Sequence, residues 1–277
     1  MAEILCSTGA LIGKWNNRDY RLLKPLSEQL LCDGFEFMMY SSWYEEVDEL
    51  VSTLQSMELY IPIMHCEKHI GEAISKGELD EAYQLFEINC RIAQQIGAKK
   101  MVIHLWDGLT SDGNFHNNIK AYPHLMNIAK DHGIDLLVEN VVCNKENPMK
   151  HWCELREQYP DIHFVFDTKM AAFHDQLDLI YTEEYEWLWK DRHICHYHIN
   201  DYAGGYRDWK NLRTYPIGKG YIDFERFFDF IHKTGYVGTY TVEASPRFDN
   251  DEIDIETMNG QFQYIREREY YKIMRTV

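Results

Sequence analysis

The chain has 277 residues, of which 45% are hydrophobic and 14% aromatic, and this composition excludes an intrinsically disordered protein. Its 28 basic and 45 acidic residues give a formal net charge of −17, which argues against routine nucleic-acid binding because that binding needs a positive surface. No apolar run approaches the roughly 20 residues of a membrane span, and we expect no secretory signal because the first residues lack a basic region and an apolar region.

Short apolar runs rich in β-forming residues alternate with longer segments of helical period along the whole chain. The runs that we interpret as strands are Ile4–Ser7, Gly34–Met39, Tyr60–His65, Lys100–Leu105, Asp135–Glu139, His163–Asp167, His193–Ile199 and Thr239–Glu243. No linker rich in proline, glycine or serine and no low-complexity tract separates them. The sequence therefore predicts a single domain over residues 1–277.

Three of the intervening segments carry a clear helical pattern. In Glu78–Gly97 the apolar residues recur three or four positions apart, and the glycine ends the pattern. The same spacing recurs in Phe224–Ile231 and ends at Gly235. The last segment, from Asp251 to about Met274, has acids in its first turn and basic residues in its last, as the helix dipole favours.

Eight strands that are each followed by a helix, in 277 residues, match the arithmetic of a (β/α)8 barrel. A doubly wound open sheet is the alternative, but it usually carries a glycine-rich phosphate turn after its first strand, and Ser7–Gly13 is a poor version of one. We therefore expect an α/β fold with a single (β/α)8 TIM barrel, whose catalytic face lies at the carboxyl ends of the strands.

Seven of the predicted strands end near an ionisable side chain, and these residues are spaced by about one strand–helix unit. They are Glu36, His65, His104, Glu139, Asp167, His198 and Glu243. Because alternate side chains of a strand share a face, each can point towards the barrel mouth together with its apolar neighbour two positions earlier. Carboxylates gathered there need a compensating positive charge, which a divalent cation would supply. Oxygen and imidazole ligands suit Mn, Mg, Co or Zn.

Five segments in chain order resemble motifs of one known superfamily. They are Val138-Glu139-Asn140, Phe166-Asp167-Thr168, His198-Ile199-Asn200-Asp201, the glycine loop from Pro216 to Asp223, and Val242-Glu243. The sequence resembles the xylose isomerase-like barrels, a superfamily of sugar isomerases, ketose epimerases, sugar-acid dehydratases and endonuclease IV. The resemblance implies one divalent metal ion, held by Glu139, Asp167, His198 and Glu243. It also implies that Glu139 and Glu243 act as the acid and base that move a substrate proton.

Further residues are expected to contact the substrate, and they are Glu36, His65, His104, Trp106 and Arg213. The two histidines match superfamily histidines that line the substrate pocket in sugar enzymes and bind a second metal in the endonuclease branch. Trp106 follows His104, and aromatic rings pack well against carbohydrate C–H faces. Arg213 lies after the seventh strand, where barrels often bind phosphate, and is a candidate for contacting a sugar phosphate.

Two departures from the superfamily motifs bear on the branch. Asp167-Thr168-Lys169-Met170 has methionine where the common motif Asp-x-x-His has histidine, and Trp209–Arg213 lacks the Asp-x-His of the endonuclease branch. With two elements of a trinuclear site missing and a net charge of −17, an endonuclease IV-like repair enzyme is the weaker alternative. Met170 also weakens the kinship with ketose 3-epimerases, and it is the one feature that favours a barrel that only binds a ligand.

The sequence thus predicts a metal-dependent isomerase or epimerase of carbohydrate metabolism that acts on a small sugar or sugar derivative. A lyase that dehydrates a sugar acid or an inosose-like substrate is the alternative that uses the same site. Seven cysteines without a Cys-x-x-Cys pair indicate reduced thiols, so we expect a cytoplasmic protein. The expected partner is a sugar-like small molecule, with no nucleic acid and no membrane. The related barrels commonly form dimers or tetramers, which allows a homo-oligomer.

Overall fold

The structure is a computed structural model that describes residues 2–108 and 110–276, with side chains up to residue 269. The strands are β1 (Glu3–Ser7), β2 (Gly34–Met38), β3 (Ile63–His65), β4 (Lys100–Ile103), β5 (Asp135–Glu139), β6 (His163–Asp167), β7 (Ile194–His198) and β8 (Thr239–Val242). They form a closed barrel in the order β1 to β8, and the pairs β1–β8 and β4–β5 are parallel. The prediction of a single (β/α)8 barrel fold is therefore confirmed.

The α-helices lie between the strands and after the last one. They are α1 (Leu23–Ser27), α2 (Val47–Ser56), α3 (His69–Lys76), α4 (Leu79–Ile96), α5 (Phe115–Asp131), α6 (Pro148–Gln158), α7 (Thr168–Phe173), α8 (Trp187–Lys190), α9 (Phe224–Lys233) and α10 (Ile255–Thr276). Among the described residues, none of these helices combines the length and the hydropathy of a membrane span.

Some predicted boundaries differ from the observed ones for identifiable reasons. The third strand starts at Ile63 instead of Tyr60, because Pro62 has no N–H to donate to a neighbouring strand. The last helix starts at Ile255 instead of Asp251, because Asp254 caps it by accepting a hydrogen bond from the backbone N–H of Thr257 at 2.9 Å. By contrast, β5 and β6 have the predicted bounds.

The chain divides into two compact units, Met1–Phe35 with Phe166–Val277, and Glu36–Val165. In the first unit, α9 buries an aromatic stripe in which Phe227 and Phe228 are fully buried, and Phe228 packs edge-on against Tyr240 of β8. Burial of such a side chain contributes about 1.5–3 kcal/mol to the free energy of unfolding. The single domain over residues 1–277 stays a prediction.

In the unit Glu36–Val165, α4 buries Phe86, Cys90 and Ala93, as the spacing of its apolar residues predicts. Gly97 ends this helix with a φ of +89°, a backbone conformation that favours glycine. On α6, Trp152 is fully buried and stacks on Phe164 of β6 with ring centroids 4.3 Å apart. These contacts fix the positions of the strands in this unit. The predicted site residues lie at the carboxyl ends of these strands.

Candidate active site

Three of the predicted metal ligands belong to the unit that contains the end of β6 together with β7 and β8. Asp167 is the last residue of β6, His198 the last of β7, and Glu243 directly follows β8. Asp167 and His198 are fully buried, and their ligand atoms lie within 4.8 Å of each other. The side chain of Glu243 keeps 15% of its surface exposed. The structure therefore brings these three side chains to the carboxyl ends of neighbouring strands, as the sequence spacing predicts.

The side-chain amide of Asn200 connects two of these carboxylates. Its Nδ2 donates to Asp167 Oδ2 at 2.9 Å and to Glu243 Oε2 at 2.7 Å, and its Oδ1 accepts from the backbone N–H of Glu243 at 3.1 Å. Thr168 holds Asn200 in turn, because its hydroxyl donates to the Asn200 carbonyl at 2.6 Å and accepts from the Asn200 N–H at 3.0 Å. Asn200 belongs to the sequence motif His198-Ile199-Asn200-Asp201, but the sequence alone indicated no function for it. Its position two residues after His198 is the feature that could have identified it.

The remaining contacts of this group fit a cation site. His198 Nδ1 lies 3.6 Å from Glu243 Oε1, which is too long for a hydrogen bond. Two atoms that bind one ion at about 2.0–2.2 Å in tetrahedral geometry lie roughly 3.4 Å apart, close to this separation. Imidazole nitrogen and carboxylate oxygen are also the ligands that Mn and Zn accept. The residues present therefore fit a divalent metal ion.

Lys169 is a residue of this group that sequence reasoning missed. It is 7% exposed, its Nζ lies 3.8 Å from Asp167 Oδ2, and it donates to Thr214 Oγ1 at 3.1 Å. Its ammonium group offsets part of the negative charge of the carboxylates. The adjacent Met170, which replaces the histidine of the superfamily motif, donates its backbone N–H to Asp167 Oδ1 at 2.9 Å.

The other unit carries the fourth predicted ligand, Glu139, which is the last residue of β5 and is 1% exposed. Its Oε2 lies 2.9 Å from His104 Nε2 and 3.4 Å from His65 Nε2. His65 Nδ1 faces the carbonyl oxygen of Cys66 at 2.8 Å, which requires the ring proton on Nδ1. Both predicted histidines therefore contact the Glu139 carboxylate.

Asp107 completes this group from the other side of His104, with its Oδ2 3.2 Å from His104 Nδ1. Burial alone would lower the pKa of His104, but the carboxylates of Glu139 and Asp107 raise it to about 9. Burial would raise the pKa of Asp107, but His104, Lys68 and the backbone N–H of Gly108 lower it to about 2. At neutral pH, His104 is thus an imidazolium held between two carboxylates.

The His104–Asp107 pair predicts a pH-dependent stability. Because the pKa of His104 is raised from 6.5 to about 9 in the folded protein, the contribution of the pair is fully present below pH 6.5 and is lost as pH rises through 9. In the presence of a chelator, Asp107→Asn is expected to lower the free energy of unfolding by about 1 kcal/mol at pH 6. Urea unfolding should show this difference shrinking between pH 7 and pH 10.

The turn residue Asp161 provides the matched control, because Asp161→Asn removes the same charge at an exposed position. Its effect on unfolding should stay small across the same pH range. If Asp107→Asn lowers the free energy of unfolding equally at pH 6 and pH 10, the ion-pair explanation is contradicted.

The other predicted substrate contacts lie as follows. Glu36 is in the middle of β2 instead of at its end, because the strand continues to Met38, and it is fully buried. Trp106 is fully buried, and its indole N–H donates to the carbonyl of Val141 at 3.1 Å. Arg213 is exposed, in the loop after β7. Their contact with substrate stays a prediction.

The glycine loop after β7 is organised by Asp201, which is fully buried. Its two carboxylate oxygens accept the backbone N–H groups of Tyr202, Gly218, Gly220 and Ile222 at 2.7–3.1 Å. A Cβ at Gly220 would lie 2.2 Å from the carbonyl oxygen of Tyr202, and Gly218 has a φ of +81°. Turn formation around a carboxylate thus accounts for both glycines.

Comparisons with known proteins agree with this architecture. The sequence matches the family of xylose isomerase-like TIM barrels over residues 28–268. No curated protein sequence matches significantly. Among solved structures, D-allulose 3-epimerase from Methylomonas sp. is 16% identical with a TM-score of 0.68, and the match covers 96% of this chain and 97% of that one.

Two further structures are similar over nearly their full lengths. The 3-keto-D-glucoside 4-epimerase from E. coli is 17% identical with a TM-score of 0.61, covering 96% of this chain and 100% of that one. A protein described as a putative sugar phosphate isomerase/epimerase from Anabaena variabilis is 12% identical with a TM-score of 0.72, covering 98% and 99%. At these identities the similarity shows a shared fold.

Proposed function

Since the chain belongs to the xylose isomerase-like TIM barrel family, we propose that it is a divalent-metal-dependent isomerase or epimerase of a small sugar or sugar derivative. The observation that carries this proposal is the Asn200 amide, which holds Asp167 and Glu243 together beside His198. Structures of similar fold include enzymes that epimerise D-allulose and 3-keto-D-glucosides, which supports a sugar as the substrate.

The proposed metal site consists of Glu139, Asp167, His198 and Glu243, with Mn, Mg, Co or Zn as the ion. When bound, such an ion would polarise a carbonyl and the adjacent hydroxyl of a sugar. This would acidify the C–H bond of the carbon that carries the hydroxyl. The support is the donor chemistry at the carboxyl ends of β5 to β8 and the separation of His198 from Glu243. Lys169 would limit the negative charge when the ion is absent.

Two carboxylates are proposed to move the substrate proton. The imidazolium of His104 stabilises the ionised form of Glu139, so this group can accept a proton from carbon. Asn200 donates to Glu243 Oε2 and fixes the direction of that carboxylate. A proton removed by one group and returned by the other inverts one carbon centre. Return to a neighbouring atom isomerises the sugar instead.

Dehydration is the second candidate, since the same groups would remove a proton next to a carbonyl and then lose a β-hydroxyl. Met170, which replaces the histidine of the superfamily's Asp-x-x-His motif, weakens the kinship with ketose 3-epimerases and so leaves this reaction open. Kinship alone does not separate the two reactions, since the superfamily contains both classes.

Proton NMR of a panel of ketoses, aldoses and sugar acids in deuterated water tests the proposal. With Mn, Mg, Co or Zn supplied, we expect exchange of one C–H for deuterium and the appearance of an epimer or isomer. An enone product would establish the dehydratase instead. Metal analysis after mild purification should find an ion that Asp167→Asn removes. Failure of all four metals to bind and to support turnover would overturn the proposal.

A further inference from the structure

A second cluster of potential metal ligands lies within the unit Glu36–Val165, and none of its residues has been assigned a role above. It consists of Asp112 in the loop before α5, Cys143 in the loop after β5, and His151 in α6. One ligand atom from each of the three lies within 4.8 Å of the others. Asp112 and His151 are 5% and 2% exposed, and Cys143 is fully buried. Thiol, imidazole and carboxylate are thus gathered without contact with bulk water.

His151 provides the second, independent observation. Neither of its ring nitrogens has a hydrogen-bond partner, although both are buried. The ring packs against Phe115 with centroids 3.7 Å apart and against Trp106 at 5.0 Å, so aromatic carbon surrounds it. A buried imidazole of this kind almost always binds a donor, an acceptor or a metal, because an unsatisfied polar group costs about 1–3 kcal/mol.

Asp112 is held in place by backbone hydrogen bonds. Its carboxylate accepts the backbone N–H groups of residues 144–146 at 2.8–3.1 Å. These N–H groups use three of the about four lone-pair sites of the carboxylate, so one, on Oδ1, remains for a cation.

The spacing between Asp112 and His151 fits an ion between them better than direct contact. His151 Nε2 lies 3.9 Å from Asp112 Oδ2, beyond hydrogen-bond distance. Atoms that share a zinc ion at about 2.0–2.2 Å lie roughly 3.4 Å apart in tetrahedral geometry, so the two side chains lie close to the separation of two ligands of one ion. The Cys143 thiol donates to the carbonyl oxygen of Val141, with its Sγ 3.5 Å from that oxygen.

We propose that Asp112, Cys143 and His151 form a structural site for a thiophilic divalent cation of the zinc class. Binding would convert the Cys143 thiol to a thiolate and release its proton to solvent, and His151 would bind as neutral imidazole. The ion would cross-link the loop after β4, the loop after β5 and helix α6. These two loops follow β4 and β5, next to His104 and Glu139, so the cation would stabilise one side of the proposed active site.

Cobalt(II) titration of the purified full-length protein tests this site separately from the catalytic one. A thiolate ligand produces an intense charge-transfer band in the near ultraviolet, and the ligands of the proposed catalytic ion contain no sulfur. We expect the final intensity of this band to correspond to about one thiolate-bound cobalt ion per protein chain. Cys143→Ser should abolish it and weaken binding at this site by roughly 100-fold or more, since even second-shell changes cost 10–100-fold.

Two matched variants test whether the band comes from Cys143 and not from another thiol or from the proposed catalytic ion. Cys90→Ser removes another buried thiol, one whose pKa is raised by burial, and should leave the band unchanged. Asp167→Asn impairs the proposed catalytic ion and should also leave the band unchanged, so failure of either proposal is recognised separately.

Zinc-edge X-ray absorption of wild-type protein, after treatment with chelator and reloading with zinc, keeps the test valid if Cys143→Ser does not fold. We expect a sulfur neighbour at about 2.3 Å from part of the zinc. A spectrum with only oxygen and nitrogen neighbours, or a cobalt band that survives in Cys143→Ser, would overturn the proposal. In that case a buried water between Asp112 and His151 becomes the explanation.

Discussion

Replacement of Glu139 or Glu243 by glutamine is expected to lower kcat on the identified sugar by about 10²–10⁴-fold in each variant. Glutamine keeps the size of the side chain but cannot exchange a proton with carbon, and it is a poorer ligand for a divalent cation. Loss of C–H exchange in deuterated water, followed by proton NMR, measures the effect directly. Metal content should fall in the same two variants, because both carboxylates are proposed ligands.

Glu157→Gln, on the exposed side of α6, is the matched control and should keep full turnover and metal content. Circular dichroism should show that the two site variants remain folded, since His104 keeps the Asp107 carboxylate as a partner in Glu139→Gln. Unchanged turnover and metal content in both Glu139→Gln and Glu243→Gln would refute the assignment of acid and base.

The largest expected effect on stability comes from Asp201. Its carboxylate accepts four backbone N–H groups of the loop after β7, and Asp201→Ala would leave these donors without their acceptor. At about 1–3 kcal/mol for each buried donor, with the exposed glycines partly rescued by water, we expect a loss of roughly 3–5 kcal/mol in the free energy of unfolding. Chemical denaturation with unchanged buffer and metal measures this loss.

Asp201→Asn should lower the free energy of unfolding by nearly as much. One carboxylate oxygen is replaced by an amide NH2 group, which cannot accept hydrogen bonds from the backbone N–H groups that face it. Asp249→Asn, an exposed position in the same unit, should change the free energy of unfolding by less than about 0.5 kcal/mol. A loss below 1 kcal/mol in Asp201→Ala would show that the loop holds its shape without this carboxylate.

The candidate site was predicted unevenly from the sequence. Glu139, Asp167 and His198 end their strands as expected, because strand ends follow from continuous apolar runs with a repeat of one strand–helix unit. Asn200 and Asp107 hold Glu243 and His104 in position. Asn200 lies in a superfamily motif, but no local pattern distinguishes Asp107 from an ordinary loop residue. Their roles depend on hydrogen bonds and ion pairs whose geometry periodicity does not encode.

The same limit applies to the cluster of Asp112, Cys143 and His151. Asp112 and Cys143 are separated by a whole strand, and no ligand spacing such as Cys-x-x-Cys connects them. The cluster became visible only when two loops and a helix were placed together. Trp106 is expected to contact the substrate, but only the tertiary structure shows that its ring packs against Phe115 and His151.

By itself, the sequence determined the class of fold, the order of strands and helices, and which ionisable residues end the strands. These features follow from short-range chemistry, namely side-chain alternation, apolar periodicity and the breaking of helices by glycine. The tertiary structure alone decided which polar groups meet and which carboxylates are paired with imidazolium or amide. Such pairings join residues tens of positions apart, and they form only when burial removes water and leaves each polar group to find a partner within the protein.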